Sequence, residues 1–343
     1  MSKELILESE DTIMRKGLKK VIAIVATAAM TMSIGMPAFA NVPIEKNADD
    51  YTLGEIQGWV VEYFAKEEIP MQLGTDAYYE YVVDQLISGT DEKLKQHPQY
   101  DLIHAYMTEY KLECDKAYMM AEEMPAVAKM SAETNVTFHG NKEFLGQTIG
   151  EIKEEVKEQN DVAMPLATNA VYSYNGTAAA NYALRYAVVA NDDYPYYAKG
   201  DCTNFVSQCL VAGGMSMTGT PSDYGVTSST TLWHCKPFYL SDGYVTFGAT
   251  TAWTLVTDFK TYMERIGADT TEYSSIASVA QNCAVGDIVQ LTDKTTGKPH
   301  HSIIISSKYS NDFGYCGHTR ARENDKASEY IDMTSNNLLL YKE

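Results

Sequence analysis

Cys202 heads the run Asp201-Cys202-Thr203-Asn204-Phe205-Val206-Ser207-Gln208-Cys209-Leu210, and His301 and His318 follow it in the chain. A thiol and an imidazole together can open an amide. The imidazole takes the thiol proton, sulfur adds to the carbonyl carbon, and backbone N–H groups hold the oxyanion. The run reads as a helix with Asp201 at its N-cap. Phe205, Val206, Cys209, Leu210 and Val211 form its inward face, and Gly213-Gly214 stops it. Cys202 then lies in the first turn, where unpaired N–H groups and the helix dipole favour a thiolate. The N–H groups of Cys202 and Thr203 are the expected oxyanion donors. A free cysteine is more often a small buried apolar side chain, so the reading needs a base.

The base is sought in Pro299-His300-His301-Ser302-Ile303-Ile304-Ile305, a β-branched run that reads as a strand. Successive side chains point to opposite faces, so His300 and His301 cannot both face Cys202. The next strand, Phe313 to His318, returns after a turn over 308–311. A register symmetric about that turn sets His301 opposite His318, with Cβ atoms about 4.5–5.5 Å apart. One imidazole would then orient the other. A slip of one residue removes the pairing.

These groups need a scaffold, and the chain is long enough for one. Its 343 residues, 45% hydrophobic and 11% aromatic, can bury a sizeable core and suggest more than one unit. The formal charge of −19, with no basic run beyond the N-terminus, argues against nucleic acid or an anionic membrane as the main partner. Residues 1–40 read as a signal peptide, with Met14 as the alternative start: Arg15 to Lys20 is basic, Val21 to Ile34 apolar, and Ala38-Phe39-Ala40 fits a cleavage site. A mature chain from Asn41 would be secreted, with no stable membrane insertion. The six cysteines are widely and irregularly spaced and form no C-x-x-C pair, so free thiols are expected, with no structural metal and no cofactor.

Residues 41–160 read as a mainly helical domain. Apolar periodicity marks helices over 53–64, 75–87 and 100–123, and a short strand is expected over 135–139. Residues 161–171, with Pro165, read as a linker. Helices over 177–190 and 255–266 flank the cysteine helix, Met215 to Thr231 reads as a surface loop, and strand signals follow at 288–291, 301–306, 313–318 and 338–341. Helices followed by antiparallel strands indicate an α+β fold. The part from about residue 165 onward is expected to fold on its own.

The residues from Tyr174-Asn175-Gly176 through the Asp201–Gln208 run, Ala212-Gly213-Gly214, Trp233, Trp253, Gly286-Asp287-Ile288-Val289-Gln290, His301–Ile305 and His318-Thr319 carry a family resemblance. Residues 172–343 resemble the "putative amidase domain" of secreted bacterial proteins, a papain-like, CHAP-related cysteine amidase or peptidase. The resemblance implies a cysteine helix packed on an antiparallel sheet, and a catalytic pair carried here by Cys202 and His301. The family usually has Asp-His where this chain has His300-His301. Residues 41–165 have no counterpart in it. The expected function is a secreted cysteine amidase or peptidase acting on cell-wall peptidoglycan or peptide amides, with Cys202 as nucleophile, His301 as base and His318 orienting it. A transglutaminase-like acyl transferase and a non-catalytic wall-binding or adhesion protein are the alternatives.

Overall fold

The computed structural model describes residues 46–121, 140–161 and 171–343 apart from 242 and 244. The expected signal peptide, the strand over 135–139 and most of the linker lie outside these residues. The helical part forms where periodicity places it. Helix α1 (Leu53–Lys66) opens with a capping box, Thr52 and Glu55 each accepting the other's N–H. Helix α2 (Asp76–Ser88) is capped by the Thr75 hydroxyl, and α3 (Tyr100–Ala121), α4 (Lys142–Gly146) and α5 (Ile149–Asp161) follow. Then come α6 (Gly176–Tyr186), α7 (Cys202–Ala212), α8 (Thr251–Thr254), α9 (Val256–Arg265), α10 (Ile276–Asn282) and α11 (Ala327–Tyr330).

Two sheets complete the described residues, which are therefore α+β. The smaller joins β1 (Gly225–Thr227), β2 (Cys235–Tyr239) and β3 (Val245–Thr250) in the order β1-β3-β2. Its first strand falls within the expected surface loop. Three residues with one buried side chain, Val226, are too short to show a period, and their pairing with β3 is supplied by distant chain. The larger sheet contains β4 (Asp269–Tyr273), β5 (Ile288–Asp293), β6 (Pro299–Lys308), β7 (Phe313–Gly317), β8 (Arg322–Lys326) and β9 (Asn336–Lys342). Their order is β4-β9-β5-β6-β7-β8, antiparallel throughout.

This sheet is buried on both faces, which is why its central strands read as continuous apolar runs. Val289, Leu291, Ile303, Ile305, Leu338 and Leu340 share one core with Ile56, Val60, Leu86 and Ile103 of α1–α3. Ile288, Ile304, Cys316, Leu339 and Tyr341 face the other way, into a core with Phe205, Val206, Leu210 and Phe259 of α7 and α9. The expected division into a helical unit 41–160 and a separate unit 172–343 is thus not how the chain packs. Lys46–Glu343 is one compact unit, in which one face of the sheet shares its core with the helices.

Two details of β6 differ from expectation and decide where the histidines go. Ile304 pairs with Cys316, one residue displaced from the register symmetric about 308–311, which would set it opposite Tyr315. His318 lies beyond the end of β7, and the displacement removes its pairing with His301. A bulge also interrupts β6 against β5: Leu291 pairs with His301 and Thr292 with Pro299, leaving His300 as the extra residue. Strict alternation therefore fails at this dipeptide. His301 shares the Leu291 face, and the His300 ring also reaches α3, with its centroid 5.7 Å from that of His104.

Candidate active site

Helix α7 is buried along Cys202–Leu210, and its polar side chains are almost all engaged. Thr203 Oγ1 lies 3.1 Å from Ser302 Oγ, which accepts from Gln290 Nε2 at 3.2 Å; Gln290 Oε1 accepts in turn from the Tyr341 hydroxyl. This ladder fixes the head of the helix to β6, β5 and β9. Asn204 donates to the Pro195 carbonyl and to Asp201, and accepts from Trp253 Nε1 at 2.7 Å. Ser207 donates to the Trp253 carbonyl and accepts from Trp233 Nε1, while Gln208 accepts from the Tyr182 hydroxyl. Gly213 ends the helix where a Cβ would stand 2.9 Å from the Asn175 carbonyl oxygen.

Asp201 does not cap the helix through its side chain. Its carboxylate turns away, accepting from the Tyr197 N–H and Asn204 Nδ2 and meeting His318 Nδ1 at 2.5 Å. The other imidazole nitrogen of His318 donates to the Tyr186 carbonyl at 2.9 Å, and the ring stacks on Phe205. Neither nitrogen is left to orient His301. Burial pushes the Asp201 carboxyl above the usual carboxylate range, and His318 opposes that shift. The structure thus makes His318 the anchor of the cysteine loop. His318→Ala would leave a buried carboxylate without its partner, at a cost of about 3–5 kcal/mol. Urea unfolding should show that loss, and Asp201→Asn in the same chain should restore part of it. A cost below about 1 kcal/mol would mean that the pair does not hold the helix.

Cys202 is fully buried. Its sulfur lies 3.8 Å from Thr203 Oγ1 and takes the Ser302 N–H. Burial pushes the thiol up, so the resting group is a thiol rather than the thiolate that its helix position suggests. The Lys111 ammonium opposes that rise, and the Asp115 carboxylate adds to it. His301 is buried too, with Nδ1 free of any hydrogen bond, and Gly317 facing Nε2. Burial, with the charges of Lys111, Arg320 and Arg322, lowers His301 from 6.5 to about 3. His301 is neutral at pH 7 and able to accept a proton. His300 is also held neutral, its Nε2 bonded to Asn336 Oδ1 at 2.8 Å.

The groups that the sequence did not mark come from the helical part. Lys111 of α3 donates to Asp115 Oδ2 at 2.5 Å, and the Tyr79 hydroxyl of α2 donates to Asp115 Oδ1 at 2.6 Å. A Lys–Asp pair at i,i+4 is ordinarily a solvated helix face, and nothing in the sequence of α3 marks this one as buried. The described residues assemble no group of three or more His, Cys, Asp or Glu able to hold a metal ion. All six cysteines are free and buried.

An uncharacterised protein of Bacillus subtilis (strain 168), YjcM, is 38% identical over 85 residues, 22% of this chain and 21% of the relative. The aligned stretch thus spans about a fifth of that relative. No solved structure matches. Residues 173–340 match the family described as "Putative amidase domain", a span that holds α6, the cysteine helix, both sheets but for the end of β9, and His301 and His318. Over these residues, just under half of its length, the chain is similar to the family described as "Putative amidase domain".

Proposed function

We propose that the protein is a secreted cysteine amidase or peptidase with a papain-like arrangement of cysteine helix and antiparallel sheet. Its substrate class would be the peptide or N-acylmuramyl amide bonds of cell-wall peptidoglycan. One observation carries the reading. Within residues 201–208 each of Asp201, Thr203, Asn204, Ser207 and Gln208 has a structural hydrogen bond, and Cys202 has only a 3.8 Å contact and one N–H. The cysteine is the residue whose chemistry the fold leaves unspent.

In the reaction His301 takes the thiol proton and Cys202 adds to the amide carbonyl carbon. The N–H groups of Cys202 and Thr203, in the first turn and without intrahelical acceptors, stabilise the oxyanion. The imidazolium then gives its proton to the leaving amine, and water hydrolyses the thioester. With His301 held near 3 and the thiol raised, proton transfer between them is uphill in the buried resting state, so the reaction needs the surroundings of the pair to change as substrate enters. The thiol and the imidazole are both buried, at 0% and 2% exposure, so a substrate reaches them only through a change of conformation.

Incubating purified residues 41–343 with peptidoglycan and analysing the muropeptides by mass spectrometry tests the reading. New amine ends are expected with the native chain and none with Cys202→Ala. Identical digests with and without the native protein, on both peptidoglycan and peptide amides, would end it. Export is tested separately: protein recovered from culture medium should begin Asn41-Val42-Pro43, and recovery of only an uncleaved, membrane-bound chain would contradict secretion.

A further inference from the structure

The charge cluster of the helical part lies against the cysteine loop itself. Lys111 and Asp115 are one turn apart on α3, and with Tyr79 they are at most 3% exposed. The Asp115 carboxyl fits against Gly200, two residues before Cys202. Gly200 has φ +72°, and a Cβ there would stand 2.8 Å from Asp115 Cγ. Only glycine permits both this backbone and this approach. A lysine with no solvent exposure loses its hydration, a cost that one carboxylate alone repays poorly. A site where negative charge develops nearby gives it a second use.

We infer that Lys111 is a positioning residue of the cysteine site: buried and held by Asp115, whose carboxyl packs on Gly200 two residues before Cys202, its ammonium stabilises the negative charge that develops on the sulfur when the thiol proton leaves. This rests on the reading of Cys202 as nucleophile. The helices without a family counterpart then belong to the enzyme and are not an appendage.

The surroundings fix the signs. The thiol is acted on by the charges of Lys111 and Asp115 of α3, interacts with Tyr79 of α2, takes the Ser302 N–H of β6 and touches Thr203 Oγ1. The charge of Lys111 also reaches His300 and His301, and Arg320 and Arg322 act on His301. Lys111 favours the thiolate and disfavours both imidazolium forms, and Asp115 works against the thiolate. Of the three cations that keep His301 neutral, Lys111 is the one whose charge also acts on the thiol.

The test is a pH titration of thiolate ultraviolet absorbance on the purified mature chain, with the Cys202→Ala spectrum subtracted so that the other cysteines cancel. It needs no substrate and no access to the thiol. Lys111→Met should raise the midpoint by about one pH unit or more, tenfold less thiolate at a given pH. Asp115→Asn should lower it, and Lys111→Arg should stay near the native value. A structural pair would not move the midpoint in opposite directions. If Lys111→Met does not fold, the joint variant Lys111→Met/Asp115→Leu removes the pair together and should raise the midpoint by less than Lys111→Met would, because Lys111 acts on the thiol more strongly than Asp115. Coincident midpoints, or shifts of the same sign in Lys111→Met and Asp115→Asn, overturn the inference. If they coincide while Cys202→Ala abolishes turnover, Lys111 has no such role and the nucleophile stands. If Cys202→Ala retains turnover, the nucleophile reading fails, and the titration still decides whether Lys111 acts on the thiol.

Discussion

Cys202→Ala should abolish amide hydrolysis, and His301→Ala should come close, each lowering kcat/KM by at least about a thousandfold. Every tenfold loss corresponds to about 1.4 kcal/mol of transition-state stabilisation. The two act as a unit, so the double variant should be scarcely slower than Cys202→Ala alone. His300→Ala should keep most activity. Its ring is bonded to Asn336 and lies beside His104, so its loss disturbs packing and not proton transfer. The bulge at His300 makes this comparison necessary, because both rings lie on the α3 side of the strand. The ranking is measured by kcat/KM after circular dichroism shows each variant folded. An active Cys202→Ala chain would falsify the mechanism. A dead His300→Ala chain with an active His301→Ala chain would move the base by one residue and leave the rest standing.

How far the sequence could be read follows from which forces were local. The Asp201–Leu210 helix, its glycine stop and the helices over 53–66, 76–88 and 100–121 were legible because caps and apolar periodicity lie within each segment. The strands at 288–293, 299–308, 313–317 and 336–342 were legible as β-branched or apolar runs. Strands such as Asp269–Tyr273 and Arg322–Lys326 were missed, being polar edge strands with no such pattern. The His301–His318 pairing depended on a register that a turn does not fix. One residue of displacement sent His318 to Asp201 and Tyr186. Asp201 looked like a cap because that is what an aspartate before a helix most often does; here a partner 117 positions away claimed its carboxylate. Lys111 and Asp115 were invisible for the same reason, since their importance lies in the loop at Gly200 and not in their own helix.

The largest departure from the sequence reading gives the second strong expectation: residues 171–343 should not fold without the helices before them. Removing residues 46–161 would uncover the sheet face formed by Val289, Leu291, Ile303, Ile305, Phe313, Tyr315, Leu338 and Leu340, part of it still sheltered by α10 and α11. Losing cover over half of these, at about 1.5–3 kcal/mol each, costs roughly 6–12 kcal/mol, comparable with a whole domain's stability of about 5–15 kcal/mol. Polar groups would lose partners as well. Asp293 is bonded to His104 at 2.6 Å, Lys298 to Glu109 at 2.7 Å, and Ser335 to Asp101 at 2.8 Å. Asn336 donates to the Leu86 carbonyl, and Arg320 pairs with Glu80 and Asp84. The isolated fragment should be insoluble, or soluble with no cooperative thermal transition, and co-expression with residues 41–161 should restore both solubility and the transition. A fragment that unfolds cooperatively near the Tm of the full chain would show that the sheet supports itself. The helices would then be a separable cover over Cys202, and their removal should speed alkylation of that thiol instead of destroying the fold around it.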